Sequence, residues 1–223
     1  MRISELKSKA LFSLRGKWGV AVSLILLLFL ITVILPFIVE VIGSGGFTKW
    51  FAQEGTPIWS DIFGMVLSIA LIPLTIATSW FYLDLVRDGN PDIPEVFAIY
   101  KDGKTSFKMI GASILQAIFI FLWSLLLLIP GIIKGMSYSQ LFLLLKDHPE
   151  YTVLEAIAES KKRMNGLKWK YFLMNLSFIG WGILCMFTLG IGLLWLIPYI
   201  GTTLAAFYNE LIVPQEDEQQ IEG

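Results

Sequence analysis

Histidine and cysteine are almost absent from this sequence, and charged residues are scarce. The 223 residues include one histidine, His148, and one cysteine, Cys185. A disulfide framework, a Cys/His zinc site and a Cys-x-x-Cys redox pair each need at least two such residues, so the sequence predicts none of them. Charged residues make up 16% of the chain, against about 25% in an ordinary soluble domain. We therefore expect neither a metal nor any other cofactor.

Apolar residues are abundant instead. They make up 56% of the chain and include eight tryptophans and 16 phenylalanines, which is more apolar surface than one small soluble core would hide. The sequence contains no Gly-x-Ser-x-Gly elbow, no His-Glu-x-x-His motif and no phosphate-binding loop. This composition predicts an integral membrane protein that is not an enzyme.

Long uncharged stretches mark the predicted passes through the bilayer, because a spanning helix needs about 20 mostly apolar residues. Pro130-Gly131 is predicted to join two passes in a tight turn, and the glycines at 190 and 192 to reverse the chain between two others. The predicted fold is all-α: a polytopic membrane bundle of six transmembrane helices in three hairpins. The passes are predicted at roughly 18–42, 60–83, 107–129, 131–147, 169–188 and 191–212. They form one membrane domain over residues 1–212, and residues 213–223 are expected to be an acidic, disordered tail.

The distribution of lysine and arginine predicts the orientation. With the N-terminus inside, only Lys49 and Lys134 of the 17 basic residues fall on the outer side. Short inner loops retain positive charge in membrane proteins. We therefore expect both termini to be cytoplasmic.

Each predicted hairpin follows a short amphipathic segment and a basic junction that contains glycine. The segments cover roughly residues 3–15, 93–102 and 152–165, which predicts a threefold internal repeat. We expect them to be interfacial helices whose apolar faces point into the inner leaflet; the alternative is that they are ordinary amphipathic loop helices. The apolar faces consist of Ile3, Leu6, Ala10 and Leu14; Ile93, Val96, Phe97 and Tyr100; and Leu154, Ile157 and Ala158.

The junctions supply the candidate lipid contacts. Basic side chains attract anionic phosphates of the inner leaflet, and tryptophan is typical of the membrane–water boundary. The predicted partners are therefore anionic lipids. A membrane-protein partner is also predicted, and nucleic acid is not. The candidate contact residues are Lys17, Trp18, Lys104, Lys168 and Trp169.

A second candidate site lies near the predicted outer end of the fourth pass. Lys134 and Glu40 are predicted at the same level, where they would form an ion pair or bind a headgroup. The alternative is a lysine that reaches the interface and a glutamate that ends a helix. Ser137 and Tyr138 make this pass the most polar one, which favours close helix packing first and a polar cavity second.

The sequence also resembles a family. The segments that carry the resemblance are Phe121 to Lys134 with its Ile-Pro-Gly turn, Ser137-Tyr138-Ser139, Gly166-Leu167-Lys168-Trp169, and Leu189 to Tyr199. With Gly16-Lys17-Trp18 they are similar to the domain of unknown function family 975, over nearly the whole chain. The resemblance implies a bacterial integral membrane protein of the cytoplasmic membrane and brings no catalytic residues.

Two functions remain open from the sequence. The first is a non-enzymatic protein that assists or organises a membrane partner or lipids. The alternative is a transporter or channel for a small solute or lipid, with a polar site near Lys134 and Ser137.

Overall fold

The structure is a computed structural model that describes residues 1–52, 58–87 and 89–213. These ranges fold into helices and contain no β-strand. Within them, five helical segments are long and apolar enough to cross a membrane, as expected for a helical membrane protein. They are Trp18–Gly43, Ile58–Val86, Gly103–Leu125, Leu128–Asp147 and Lys168–Phe187.

Twelve α-helices follow one another along the described chain. A π-helical turn, Leu30–Ile34, joins α2 to α3 just before Pro36, which has no N–H to donate. A 3₁₀ turn, Ala98–Lys101, follows α6. The helices are α1 (Ile3–Leu14), α2 (Trp18–Phe29), α3 (Leu35–Gly43), α4 (Phe47–Phe51), α5 (Ile58–Val86), α6 (Ile93–Phe97), α7 (Gly103–Leu126), α8 (Leu128–Ser137), α9 (Leu141–Asp147), α10 (Val153–Arg163), α11 (Lys168–Phe187) and α12 (Leu193–Leu211).

The reversal between α7 and α8 lies at Leu127, not at the predicted Pro130-Gly131. Leu127 has an extended backbone, with φ −162° and ψ 146°. Pro130 lies in the first turn of α8, where a missing N–H costs no helical hydrogen bond. Gly131 lets the two helices approach, because a Cβ there would lie 2.1 Å from Ser124 Oγ. Proline and glycine thus shape the start of α8, and the chain turns before them.

The reversal between α11 and α12 uses both glycines that the sequence singles out. Gly190 has a positive φ of 85°, and Leu189 before it has a φ of 52°. Gly192 has ordinary backbone angles, but a Cβ on it would lie 2.8 Å from Cys185 Sγ. One glycine therefore serves the turn and the other the close packing.

Helix α12 contacts α1, α2, α5 and α11. It is not among the five segments that qualify as spans, and its last turn carries Asn209 and Glu210. Its buried residues include Thr202, Thr203, Ala205, Ala206, Phe207 and Tyr208.

Part of each predicted apolar face is buried against protein. Leu6, Ala10 and Leu14 of α1 are fully buried, and α1 packs against α12 and α5. Val96 of α6 and Ile157 of α10 are also buried, and these helices contact α5 and α9. Tyr100 and Leu154, from the same predicted faces, are 41% and 59% exposed. The prediction that the apolar faces point into lipid is therefore wrong for the buried residues. Neighbouring helices bury them in the core instead.

Candidate functional site

Charged side chains meet where α5, α9 and α12 end. Arg87 binds Asp147 in a bidentate pair, with Nη1–Oδ1 and Nη2–Oδ2 distances of 2.7 and 2.6 Å. The Tyr208 hydroxyl donates to Asp147 Oδ2 over 2.9 Å, and Arg87 Nε donates to Asn209 Oδ1 over 3.0 Å. The hydrogen bond to the Asp147 carboxylate raises the pKa of the Arg87 guanidinium above its ordinary value. These four residues tie three helices together.

Two further ion pairs extend this cluster. Lys146 pairs with Asp84 and also donates to the Trp80 carbonyl over 2.9 Å. Lys9 of α1 pairs with Glu210 of α12. We call the three pairs, Arg87–Asp147, Lys146–Asp84 and Lys9–Glu210, the ion-pair cluster. Its three basic and three acidic side chains neutralise one another, as in an ion-pair network that stabilises a fold.

Sequence reasoning missed the Arg87–Asp147 pair. Each residue lies at a helix end. A charged side chain there marks the end of an apolar stretch but does not indicate its partner. The two residues lie 60 positions apart, so no local spacing connects them.

A cleft of about 300 Å³ opens beside the ion-pair cluster, between α5, α6 and the start of α7. Asp84, Glu95 and Asp102 line it together with Lys146 and Trp80. Two of these acids already have partners: Asp84 pairs with Lys146, and Asp102 caps α7 by accepting from the next backbone N–H groups. Within the described ranges, no group of three or more His, Cys, Asp or Glu residues is arranged to hold a metal ion.

The fourth candidate span is broken between α8 and α9, and polar side chains repair the break. Ser160 Oγ donates to the Ser137 carbonyl over 2.8 Å, and Gln116 Nε2 donates to the Tyr138 carbonyl over 3.0 Å. The backbone N–H of Gln140 donates to Ser160 Oγ over 3.3 Å. Ser137 and Tyr138 thus join α8 to α7 and α10, and these bonds supply the partners that the broken helix has lost.

Lys134 and Glu40 do not form an ion pair in the described structure. Lys134 Nζ lies 4.1 Å from the centre of the Trp123 ring, a cation–π contact. Its helix, α8, contacts both α10, which carries Lys161, and α11, which begins at Lys168. The charge count predicts these two lysines on the inner side.

The candidate lipid contacts are found in different settings. Lys17 Nζ donates to the Gly89 carbonyl over 2.6 Å, so its charge serves the fold. Trp18 lines an apolar groove of about 450 Å³ with Trp181 and Trp195. Lys104 and Trp169 are exposed and Lys168 is half-buried. These last three remain accessible to lipid.

Comparison with known proteins identifies the chain's relatives at the family level. No curated protein and no solved structure gives a significant match. The profile of one family, described as "Protein of unknown function (DUF975)", matches residues 1–134 and 125–213, which together are nearly the full chain. The chain belongs to the DUF975 family.

Proposed function

We propose that this chain is a non-enzymatic protein of the bacterial cytoplasmic membrane that organises lipids or a membrane partner. The ion-pair cluster is the observation that supports this most directly. Its charged groups bind one another and fix the helix ends, whereas a catalytic centre keeps a reactive group available to substrate. Large apolar side chains remain exposed along the candidate spans, among them Phe121, Ile179 and Phe187. In a membrane protein such side chains face lipid or a partner.

The proposed architecture is a ring of three hairpins, each preceded by its short amphipathic helix. The hairpins comprise α2 to α5, α7 to α9, and α11 with α12. Each short helix packs against the second helix of the preceding hairpin: α1 on α12, α6 on α5, and α10 on α9. The same cyclic order holds for the first helix of each hairpin, with contacts from α2 to α12, α7 to α5 and α11 to α8. This order supports a threefold internal repeat.

The first and third short helices match in detail. Each has a glutamate in its first turn, Glu5 or Glu155. The carboxylate of that glutamate accepts a hydrogen bond from the backbone N–H three residues earlier, over 2.7 Å in both cases. Each ends in a tight turn through a glycine of positive φ, 78° at Gly16 and 79° at Gly166. The buried positions recur at the same spacing: Leu6, Ala10, Ser13 and Leu14 in α1; Ala156, Ser160 and Arg163 in α10, with Met164 directly after it.

The second short helix departs from this pattern. α6 continues into a 3₁₀ turn, and Gly103 is the first residue of α7 instead of the centre of a turn. Asp102 caps α7 there, with its carboxylate oxygens 3.1 and 3.3 Å from the N–H groups of Lys104 and Thr105. The proposed repeat is therefore strongest between the first and third hairpins.

We further propose that α12 is a sixth pass. It pairs with α11 through the Gly190 turn, and its last residues meet the ends of α5 and α9 in the ion-pair cluster. Six passes return the C-terminus to the side of the N-terminus. The contact between Lys9 and Glu210 supports this proposal, because it joins the first helix to the last.

Purification from native membranes without detergent tests the proposed function. The tagged chain would be extracted in polymer-bounded bilayer discs, and its co-purifying proteins and lipids measured against discs from an unrelated six-pass protein. We expect a stoichiometric membrane partner or enrichment of one lipid class. Recovery of neither would contradict the proposal.

One observation favours the alternative of a transporter. Gln140, at the break in the fourth span, is 2% exposed, and its Oε1 atom has no hydrogen-bond partner. Broken helices with free polar groups are common at transport sites. If the chain transports a solute, Gln140→Leu would abolish flux into proteoliposomes while the purified protein stays folded. Equal flux into protein-free liposomes would contradict this alternative.

A further inference from the structure

Three lysines from separate helices lie where the second hairpin meets the short helix and first span of the third. Lys134 lies on α8, Lys161 on α10 and Lys168 at the start of α11. α8 contacts both α10 and α11, and the residue before Lys161, Ser160, donates to the Ser137 carbonyl over 2.8 Å. These contacts place the helices that carry the three lysines next to one another.

The described carboxylates do not neutralise the charges of these lysines. None of the three lysines forms an ion pair within 4.0 Å with a carboxylate of the described residues. Glu159, the acid on the same helix as Lys161, is taken by Arg163 at 2.7 Å and by Lys162 at 3.7 Å. The ion-pair cluster, by contrast, balances every charge that it contains. Like charges held together repel, and an anion between them would remove the repulsion.

The corresponding junction of the first hairpin shows which way these positions face. Leu11 and Trp18 stand in the α1–α2 segment where Lys161 and Lys168 stand in α10–α11, if the two glycine turns are superimposed. Leu11 and Trp18 both line one groove of about 450 Å³, next to α11 and α12. By the proposed repeat, the equivalent positions in the third hairpin face a common space next to α8. They are basic there instead of apolar.

Aromatic and apolar residues accompany these lysines. Trp123 packs under Lys134 Nζ. Trp169, next to Lys168 in the sequence, is 68% exposed, and Ile133, next to Lys134, is 40% exposed. A ligand that satisfies both sets of groups carries an anionic head and an apolar body.

We infer that Lys134, Lys161 and Lys168 bind the phosphate of an anionic phospholipid, with the lipid's apolar part against Trp123 and Trp169. This inference rests on the proposed function and deepens it, because it names the lipid class and the site. The shared chemistry is a phosphate oxyanion that accepts from ammonium groups. Its sources are a membrane phospholipid or free phosphate.

Native mass spectrometry on the purified full chain tests the inference. The protein in mild detergent would be titrated with phosphatidylglycerol or with phosphatidylcholine of the same acyl chains, and bound lipids counted. The variants are Lys134→Gln and the double variant K161Q/K168Q. The matched control is K49Q/K101Q, which removes two exposed lysines that lie outside this junction and are not among the candidate lipid contacts. Melting in detergent checks that all variants fold.

We expect the unaltered chain to prefer one phosphatidylglycerol molecule over phosphatidylcholine. Lys134→Gln should weaken this binding about fivefold, as for the loss of one lysine near an anionic surface, and K161Q/K168Q more than tenfold. The control should bind as the unaltered chain does, and inorganic phosphate at equal concentration should not displace the lipid.

Three results would overturn the site. A preference for phosphatidylglycerol that all variants retain would place the lipid elsewhere and leave the proposed function standing. Equal binding of both lipids would show that the junction has no anionic lipid, and the proposed function would then depend on a protein partner. Displacement by inorganic phosphate at equal concentration would assign the junction to a soluble anion.

Discussion

Replacing Asp147 by alanine should loosen the meeting point of three helices. Asp147 accepts two hydrogen bonds from Arg87 and one from Tyr208, all within 2.9 Å. Its side chain is 19% exposed and that of Arg87 is 34% exposed, so the pair is partly buried. Removing the carboxylate leaves the guanidinium and the phenol without their acceptor. The substitution therefore acts on α5, α9 and α12 at once.

The expected cost lies between two reference cases. An exposed ion pair contributes about 0–1 kcal/mol, and breaking a fully buried one costs about 3–5 kcal/mol. Since Arg87 keeps some access to water, we expect Asp147→Ala to cost about 2 kcal/mol. For a chain of this length, that corresponds to a Tm lower by about 4–8 °C. The measurement is thermal unfolding of the purified protein in one detergent, followed by intrinsic tryptophan fluorescence.

Two further variants make this prediction specific. Lys162 also pairs with an acid, Glu159 at 3.7 Å, but its side chain is 76% exposed, so Lys162→Ala should change the Tm little. The exchange R87D/D147R should recover part of the stability that Asp147→Ala loses, because it restores the attraction across the pair. If Asp147→Ala and Lys162→Ala have the same Tm, the cluster does not hold the helix ends together.

Other contacts give predictions of known sign. Gly201→Ala in α12 should cost about 1–3 kcal/mol, because the new Cβ would lie 2.4 Å from the ring of Tyr82, which is 4% exposed. Gly182→Ala in α11 has open space around it and should be neutral or stabilising; a comparison of the two melting curves checks both. Gly16→Ala and Gly166→Ala should each cost about 1–2 kcal/mol in chemical denaturation, since both glycines have positive φ. Clearly unequal costs would argue against equivalent turns and hence against the proposed repeat.

The sequence predicts the class of fold well, because composition and uninterrupted apolar length are local properties. Long apolar helices, the turn glycine at 190 and the capping glutamate at 155 all belong to patterns that a few neighbouring residues determine. The DUF975 profile match agrees with the resemblance carried by the Ile-Pro-Gly and Gly-Leu-Lys-Trp segments.

Contacts between distant segments are what the sequence does not reveal. Amphipathicity shows that Leu6 and Ala10 share a face, but lipid and protein are equally apolar partners for that face. The turn at Leu127 depends on how α7 and α8 pack through Gly131. Pro130 suggests a turn at its own position, but the turn lies three residues earlier. The candidate ion pair of Lys134 with Glu40 fails for the same reason. Predicted depth in the membrane does not specify which helices are neighbours.

The number of passes is the claim on which the proposed ring most directly depends. With Cys185 replaced by serine, the chain has no cysteine, so single cysteines at Ser8 and at Ile221 can report the two ends. A membrane-impermeant maleimide would be applied to intact cells and to inverted membrane vesicles. Six passes predict that both cysteines are labelled only in inverted vesicles. Labelling of one end in intact cells and of the other in inverted vesicles would indicate an odd number of passes and contradict the three-hairpin ring.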